Sequence, residues 1–175
     1  QAAVELGIFH ALETGPLTAK ALANPGGLEP KACELMLNAL ASLKLLDKHA
    51  DLFSLAPIGR TYLLRSSTHY LGGMLRFESS LWHCWENLPQ AIRSGNPVRP
   101  ANMYQEDRNE TEIFIHAMDS LVKARGDGEV VPPAVNWDTV DELLDVGSGP
   151  ATYPIVLCKK FPKLRATVFD LPASL

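Results

Sequence analysis

The segment "DELLDVGSGPATYPIVLCKKFPKLRATVFDLP", residues 141–172, constrains the fold more than any other part of the chain. Its apolar runs at 141–146 and 164–172 predict two short strands, and residues 153–161 predict a helix between them. A glycine-rich turn joins the first strand to that helix. Strand, glycine turn, helix and strand in this order predict a βαβ unit, in which the strands are parallel and the crossover is right-handed.

The turn of this unit has the composition of a ligand-binding loop. Gly147 permits the tight turn, Gly149 lets a ligand approach the backbone, and the small Ala151 lets the helix pack on the strand. Asp170 ends the second predicted strand, where a carboxylate can accept hydrogen bonds from both hydroxyls of a ribose. The two glycines alone would be weak evidence, but together with this acid they favour a ribose-bearing cofactor.

The identity of that cofactor depends on the residues around the glycines. Thr152 stands where the dinucleotide pattern has its third glycine. S-adenosylmethionine has no pyrophosphate, so the loop amides and the helix N-terminus need to meet only its methionyl carboxylate. Asp145, at the end of the first strand, is a candidate partner for the ammonium group, directly or through water. The residues favour S-adenosylmethionine; a dinucleotide and a turn without a ligand remain alternatives.

The N-terminal part predicts a different, mainly helical domain. Helices are expected over 2–12, from the N-cap Thr18 to Ala23, and from Pro30 to about Leu43. Two short strands around a polar turn follow within 45–55, and then a helix from Pro57 to Leu64. This is the element order of a winged helix. Spacings of three and four in the third helix predict one buried stripe, formed by Ala32, Leu35, Met36, Ala39, Leu40 and Leu43.

A winged helix raises the question of DNA binding, and the charges argue against it. The third helix would be the recognition helix, but it has Glu29 and Glu34 against Lys31 alone. A helix in the major groove needs basic or amide side chains directed outward. The formal net charge of −4 also disfavours nucleic acid as a partner. We therefore expect no nucleic-acid partner, and a structural or dimerising role for this domain.

Residues 70–94 predict one long helix with bulky apolar side chains along one face. The pair Trp82 and Trp85 exceeds what a small domain usually needs for its own core. Burial against a second subunit and packing within the domain are both compatible with the pattern. The residues of this apolar stripe are Met74, Phe77, Leu81, Trp85, Leu88 and Ile92.

Several classes of protein and site are disfavoured by composition. The three cysteines are widely spaced and odd in number, which disfavours the disulfide framework of a secreted protein. We therefore expect a cytoplasmic location. No apolar run approaches the roughly 20 residues of a membrane span, no signal peptide is visible, and we predict no metal site.

Residues 93–110 predict a loop, and 111–123 a helix that contains Phe114 and Met118.

Four segments of the chain resemble those of a known protein family. The glycine-loop segment is similar to the cofactor loop of the O-methyltransferases that include hydroxyindole and caffeic acid O-methyltransferases and bacterial polyketide-tailoring enzymes. Three further segments resemble the same family in the same order. They are its opening helices ("AAVELGIFHALETGPLTAKALA"), its winged-helix dimerisation module ("LMLNALASLKLLDKHADLFSLAPIGRTYL") and its Phe-x-x-x-Met helix ("FIHAMDSL").

The resemblance implies a function and a set of residues. It implies that Gly147 and Asp170 contact S-adenosylmethionine, and that Phe114 and Met118 line the pocket where a small hydroxylated, aromatic acceptor meets the methyl group. It also implies a homodimer formed through the N-terminal domain. The expected organisation is a winged-helix-like dimerisation domain over 1–100, a linking helix region over 101–132, and the incomplete start of a Rossmann-like domain over 133–175.

The resemblance also implies what this chain lacks. Members of the family continue for roughly as many residues again, and their general-base histidine would lie beyond Leu175, so we expect no catalytic residue in this chain and no turnover by it alone. An alternative is a non-catalytic dimerisation or regulatory protein, or one piece of a split methyltransferase.

Overall fold

The computed structural model describes residues 1–99, 102 and 107–174. The chain divides into two compact units, Gln1–Gly72 and Gly73–Leu175. We refer to them as unit 1 and unit 2. In the described part of the chain, no helix combines the length and the apolar character that crossing a membrane requires.

Unit 1 is built from short helices and a small antiparallel sheet. Strand β3 lies in the centre of the sheet, between β1 and β2. The expected pair of strands around a polar turn is confirmed, since Leu46 pairs with Leu55 and His49 with Leu52. In chain order the elements are α1 (Ala2–Glu5), α2 (Ile8–Ala11), β1 (Leu17–Thr18), α3 (Ala19–Gly26), α4 (Pro30–Ser42), β2 (Leu46–His49), β3 (Leu52–Leu55) and α5 (Pro57–Leu63).

The helix ends of unit 1 follow from local chemistry. The Thr18 hydroxyl accepts the Ala21 N–H at 3.1 Å, which confirms Thr18 as the N-cap of α3. Helix α3 continues past the predicted end at Ala23, and it ends where Gly27 adopts a left-handed conformation. The single helix predicted over 2–12 is wrong, because Gly7, with φ of 70°, separates α1 from α2.

Helix α4 buries Leu40, as predicted, but the rest of its buried face differs from the predicted stripe. Its buried side chains are Cys33, Leu37 and Leu40. Leu35 and Leu43, which the stripe placed inside, are 64% and 68% exposed. Apolar residues on α4 follow helical spacing on two faces, so the period alone did not select one. The core of unit 1 selects it, because Leu37 packs into an interior with the fully buried Ile8, Leu12, Leu46 and Phe53.

Unit 2 begins with three short helices in place of the long one predicted over 70–94. The first break falls after Ser80, whose hydroxyl donates to the Phe77 carbonyl at 2.7 Å. Such a side-chain bond competes with the backbone hydrogen bonds of a helix. Pro89 lies in the first turn of the third helix, where its missing N–H costs nothing. The three helices are α6 (Gly72–Ser80), α7 (Trp82–Glu86) and α8 (Leu88–Ser94).

The apolar stripe on these helices is only partly buried. Phe77 is buried, but Trp82 and Trp85 are 63% and 61% exposed, and Leu88 and Ile92 are exposed as well. Among the described residues, the C-terminal part of the stripe therefore stays exposed. The adjoining loop predicted over 93–110 falls partly on residues 100–101 and 103–106, which lie outside the described residues.

The rest of unit 2 contains the predicted βαβ segment. Strands β4 (Glu142–Val146) and β5 (Arg165–Phe169) pair in parallel, with Glu142 opposite Arg165, and α11 (Thr152–Lys160) connects them. The parallel pairing is thus confirmed. Before it come α9 (Arg108–Arg125), α10 (Asp127–Val130) and two 3-10 turns at Pro132–Ala134 and Trp137–Thr139. Helix α9 starts three residues earlier than expected, because Asp107 caps the N–H groups of Asn109 and Glu110.

The buried face of α4 can be tested with two leucines of the same helix. Leu37→Ala removes methyl groups from a closed core and should lower the free energy of unfolding by about 2–5 kcal/mol. Leu35→Ala, on the exposed face, should change it by less than about 0.5 kcal/mol. Urea unfolding followed by circular dichroism, at a concentration that keeps the chain monomeric, measures both. Equal losses for the two variants would contradict the assignment of the buried face.

Candidate functional site

A cavity of about 560 Å³ lies at the carboxyl ends of β4 and β5. Ligands of parallel sheets bind at this end of the strands, and the volume is in the range of small-molecule sites. The structure brings all six residues singled out from the sequence to its wall. Asp145, Gly147, Gly149 and Asp170 line it from the βαβ unit, and Phe114 and Met118 line it from α9.

The glycine loop, Gly147–Ala151, adopts a conformation that few residue types tolerate. Gly147 has φ of 73° and donates its N–H to the Phe169 carbonyl at 2.8 Å, which continues the strand pairing into the loop. Gly149 has φ of 55°, and Ala151, directly before α11, has φ of 54°. A non-glycine residue pays roughly 1–2 kcal/mol for this left-handed conformation. The surrounding contacts must therefore hold the loop firmly.

Asp170 is held by the loop itself. Its Oδ2 accepts the Gly149 N–H at 2.6 Å and its Oδ1 accepts the Leu171 N–H at 2.7 Å. These bonds stabilise the ionised carboxylate, and the Gly149 amide has the largest effect in lowering the pKa of Asp170. The Ser174 hydroxyl contributes in the same direction. An ionised carboxylate has more lone pairs than these donors use, so it can still accept bonds from hydroxyls of a ligand.

Asp145 has a partner in the loop as well. Its Oδ2 accepts a hydrogen bond from the Ser148 hydroxyl at 2.9 Å, and Ser148 is buried. Ser148 therefore fixes one carboxylate oxygen of Asp145 at the cavity wall. The sequence placed Asp145 at the end of the strand but gave no reason to assign a role to Ser148.

Helix α9 forms the apolar wall of the cavity with one of its faces. Ile115, Leu121 and Val122 line the cavity beside Phe114 and Met118. The Phe114 ring packs edge-to-face on Phe77 of α6, with 5.5 Å between ring centroids. The wall is thus backed by a buried aromatic contact within unit 2.

A polar cluster at the end of α9 was missed by the sequence analysis. Arg125 and Tyr153 both line the cavity. The Tyr153 hydroxyl donates to Asp127 Oδ2 at 2.6 Å, and Arg125 Nη2 donates to the same carboxylate oxygen at 2.5 Å and to the Tyr153 oxygen at 3.1 Å. The bond from Tyr153 and the guanidinium lower the pKa of Asp127, and the carboxylate raises the pKa of Tyr153.

A second polar contact joins α9 to the first turn of α11. The buried Thr152 donates its hydroxyl proton to Asp119 Oδ1 at 2.8 Å, and Lys123 Nζ donates to Asp119 Oδ2 at 2.5 Å. No pattern of neighbouring residues could have revealed the bond of Thr152 to Asp119 or that of Tyr153 to Asp127, because the partners lie 33 and 26 positions apart.

Together these contacts place four carboxylates around one short segment, residues 148–153. We call them the carboxylate collar: Asp119, Asp127, Asp145 and Asp170. Each accepts one hydrogen bond from the segment, and the four come from α9, from the start of α10 and from the ends of β4 and β5. Within the described residues, no group of three or more His, Cys, Asp or Glu side chains is arranged to hold a metal ion.

The collar predicts how stability depends on pH. Asp127 and Asp170 have pKa values lowered by folding, so the folded state binds fewer protons than the unfolded state near their unfolded pKa of about 3.9. The free energy of unfolding should be nearly constant above about pH 5 and fall as pH decreases below about 4, through the lowered pKa values. Asp170→Asn should make this acid loss shallower in urea unfolding series.

The exposed Asp47 of β2 provides the matched control, since Asp47→Asn leaves the collar intact. Its acid profile should parallel that of the unsubstituted chain. A parallel profile for Asp170→Asn as well, down to about pH 3, would contradict the predicted contribution of Asp170.

Comparisons with known proteins show what the chain as a whole is similar to. Residues 1–65 match the family model of the O-methyltransferase dimerisation domain. Across 97% of the chain, the sequence is 30% identical to the tetracenomycin polyketide synthesis 8-O-methyl transferase TcmO of Streptomyces glaucescens. Across 98% of the chain, it is 26% identical to the N,N-dimethyltransferase OxyT of Streptomyces rimosus. The chain spans about half the length of these curated relatives, 51% and 52%.

The fold has a solved counterpart. It is similar to the crystal structure of human N-acetylserotonin methyltransferase in complex with SAM, with a TM-score of 0.84 and 25% sequence identity. The similarity covers 99% of this chain and 55% of that one. Nearly the whole chain is therefore similar to O-methyltransferases, its first 65 residues match an O-methyltransferase dimerisation domain, and the fold matches the N-terminal part of O-methyltransferase structures.

Proposed function

We propose that this chain carries the beginning of the S-adenosylmethionine site of an enzyme that methylates a hydroxyl group of a small aromatic acceptor. One observation carries the proposal: Asp170, the glycine loop and the α9 wall line a single cavity at the carboxyl ends of two parallel strands. The homologues whose names describe O-methylation support the reaction type. We place the protein in the cytoplasm, as its cysteine content indicates.

The side chains of the cavity fit the functional groups of this cofactor. Asp170 would accept hydrogen bonds from the ribose hydroxyls, and the loop amides at Gly147 and Gly149 would lie close to the methionyl group. Asp145 would hold the ammonium group. Arg125 supplies the one cationic side chain among the described residues that line the cavity, which suits the cofactor carboxylate.

The apolar wall suits the aromatic acceptor of the methyl group. Phe114 and Met118 would line the space where the acceptor meets the methyl group, and they would exclude water from it. When bound, S-adenosylmethionine supplies an electrophilic methyl on a sulfonium. Transfer requires the acceptor oxygen, the methyl carbon and the sulfur in line, and a base that takes the hydroxyl proton. We propose that a histidine outside this chain, in the half that the relatives have in addition, is this base.

The finer domain organisation is part of the same proposal. Helices α1–α5 and the β2–β3 hairpin suit a winged-helix-like dimerisation domain over 1–100, and residues 101–132 would link it to the site. The β4–α11–β5 unit suits the start of a Rossmann-like domain over 133–175. A non-catalytic dimerisation or regulatory protein, or one piece of a split enzyme, would share the first domain but would differ in cofactor binding or in its need for a second chain.

Cofactor binding tests the proposal directly. S-adenosylhomocysteine should bind the purified chain in isothermal titration calorimetry, or in ligand-detected NMR where affinity is weak. Asp170→Ala should weaken binding at least tenfold, since it removes charge-assisted hydrogen bonds worth about 1.5–3 kcal/mol. Asp47→Ala should leave affinity unchanged. Absence of binding by the unsubstituted chain would favour the regulatory alternative.

We propose a homodimer as the assembly, supported by the match of residues 1–65 to a dimerisation domain and by the exposed tryptophans. Trp85→Ala should raise the dimer dissociation constant at least tenfold in sedimentation equilibrium, because a tryptophan in an interface often contributes 2 kcal/mol or more. Val135→Ala, at another exposed apolar residue, is the control. A monomeric chain at concentrations of tens of micromolar would overturn this assignment. An unchanged dimer dissociation constant for Trp85→Ala would overturn it as well.

A further inference from the structure

The first turn of α11 connects the glycine loop to the apolar wall of the cavity. Successive residues of a helix point about 100° apart. Thr152 and Tyr153 therefore reach two different partners, and both partners are carboxylates: Asp119 on α9 at 2.8 Å, and Asp127 at the start of α10 at 2.6 Å. The contacts leave the helix on two sides and fix its rotation as well as its position.

Each of these two carboxylates is itself anchored. Lys123 holds the second oxygen of Asp119 at 2.5 Å, one helical turn along α9. Arg125, the last residue of α9, holds Asp127 at 2.5 Å. Both acceptors thus have a cationic partner on α9 in addition to the hydroxyl groups of α11. Hydroxyl donors to ionised acceptors make stronger bonds than neutral pairs do.

The backbone immediately before this turn carries strain. Ala151 occupies the left-handed region, and such a residue persists only where its surroundings over-determine the conformation. On the other side of Ala151, Gly149 is held by Asp170. The two contacts at Thr152 and Tyr153 complete the restraint, so the strained residue lies between fixed points.

We propose that Thr152 and Tyr153 are positioning residues, which hold the α9 wall at the glycine loop through their hydrogen bonds to Asp119 and Asp127. The inference rests on the proposed cofactor site. In that site, the loop amides lie close to the methionyl group, and Phe114 and Met118 line the space where the acceptor meets the methyl group. The two hydroxyl contacts set the distance between these surfaces before the ligand arrives. They thereby lower the conformational cost of binding.

Three variants separate the hydroxyl groups from the bulk of the side chains. Thr152→Val removes the hydroxyl and keeps the volume, Thr152→Ser keeps the hydroxyl and removes a methyl, and Tyr153→Phe removes only the phenolic oxygen. Thr167→Val on β5 and Tyr62→Phe on α5 are matched controls, since neither residue is among those that line the cavity. All are measured in the full chain, first by amide hydrogen exchange and then by titration with S-adenosylhomocysteine.

Hydrogen exchange tests the hydrogen-bonded connection without any ligand. Thr152→Val and Tyr153→Phe should speed exchange of the amides in the last two turns of α9 and in α11 by roughly five- to tenfold. Thr152→Ser and the two controls should exchange like the unsubstituted chain in these segments. Unchanged exchange in both Thr152→Val and Tyr153→Phe would overturn the proposal, whatever the chain binds.

Titration then separates positioning from a general contribution to stability. Thr152→Val should weaken S-adenosylhomocysteine binding by roughly five- to tenfold, and Thr152→Ser should restore it to within about twofold. A purely structural role predicts instead that affinity follows the melting temperature across all variants, and that result would also overturn the proposal. Failure of the unsubstituted chain to bind would count against the cofactor site alone, because the exchange result stands independently.

Discussion

The segment from Ser148 to Tyr153 depends on hydrogen bonds to ionised carboxylates. Four such bonds, one to each member of the carboxylate collar, hold this segment, which contains Gly149 and the left-handed Ala151. A turn of this kind is costly on its own, because it fixes unfavourable backbone angles without a regular hydrogen-bond ladder. The carboxylate acceptors around it offset that cost.

The same bonds explain why the site is assembled from distant parts of the chain. Asp145 and Asp170 end neighbouring parallel strands, so the sheet alone brings them together. Asp119 and Asp127 belong to a helical region that precedes the sheet in the sequence. Their bonds to Thr152 and Tyr153 attach the apolar face of α9 to the loop. The cavity thus has polar groups at the strand ends and an apolar wall opposite, as a ligand with both kinds of surface requires.

Helical spacing was informative about which segments fold and less so about which faces are buried. On α4, the predicted stripe included Leu35, Leu40 and Leu43, of which Leu40 alone is buried, while Leu37, outside the stripe, is fully buried. For residues 70–94, the pattern indicated one continuous helix, but the structure has three. The hydrogen bond of the Ser80 hydroxyl to the Phe77 carbonyl lies at the first break, and Pro89 lies in the first turn of the third helix. Both tryptophans of this segment, Trp82 and Trp85, remain exposed.

By itself the sequence determined the βαβ unit, the turn at Gly147 and the acid at the end of the second strand. These features are local, since backbone sterics, strand period and strand-end chemistry act over a few residues. Only the tertiary structure decided that Ser148, Thr152 and Tyr153 are tied to carboxylates, and that Arg125 faces the cavity. Apart from Ser148, whose acceptor is three residues away, these contacts join residues 26 or more positions apart. They exist because the fold brings the first turn of α11 within hydrogen-bond reach of α9 and α10, and spacing along the chain does not encode that arrangement.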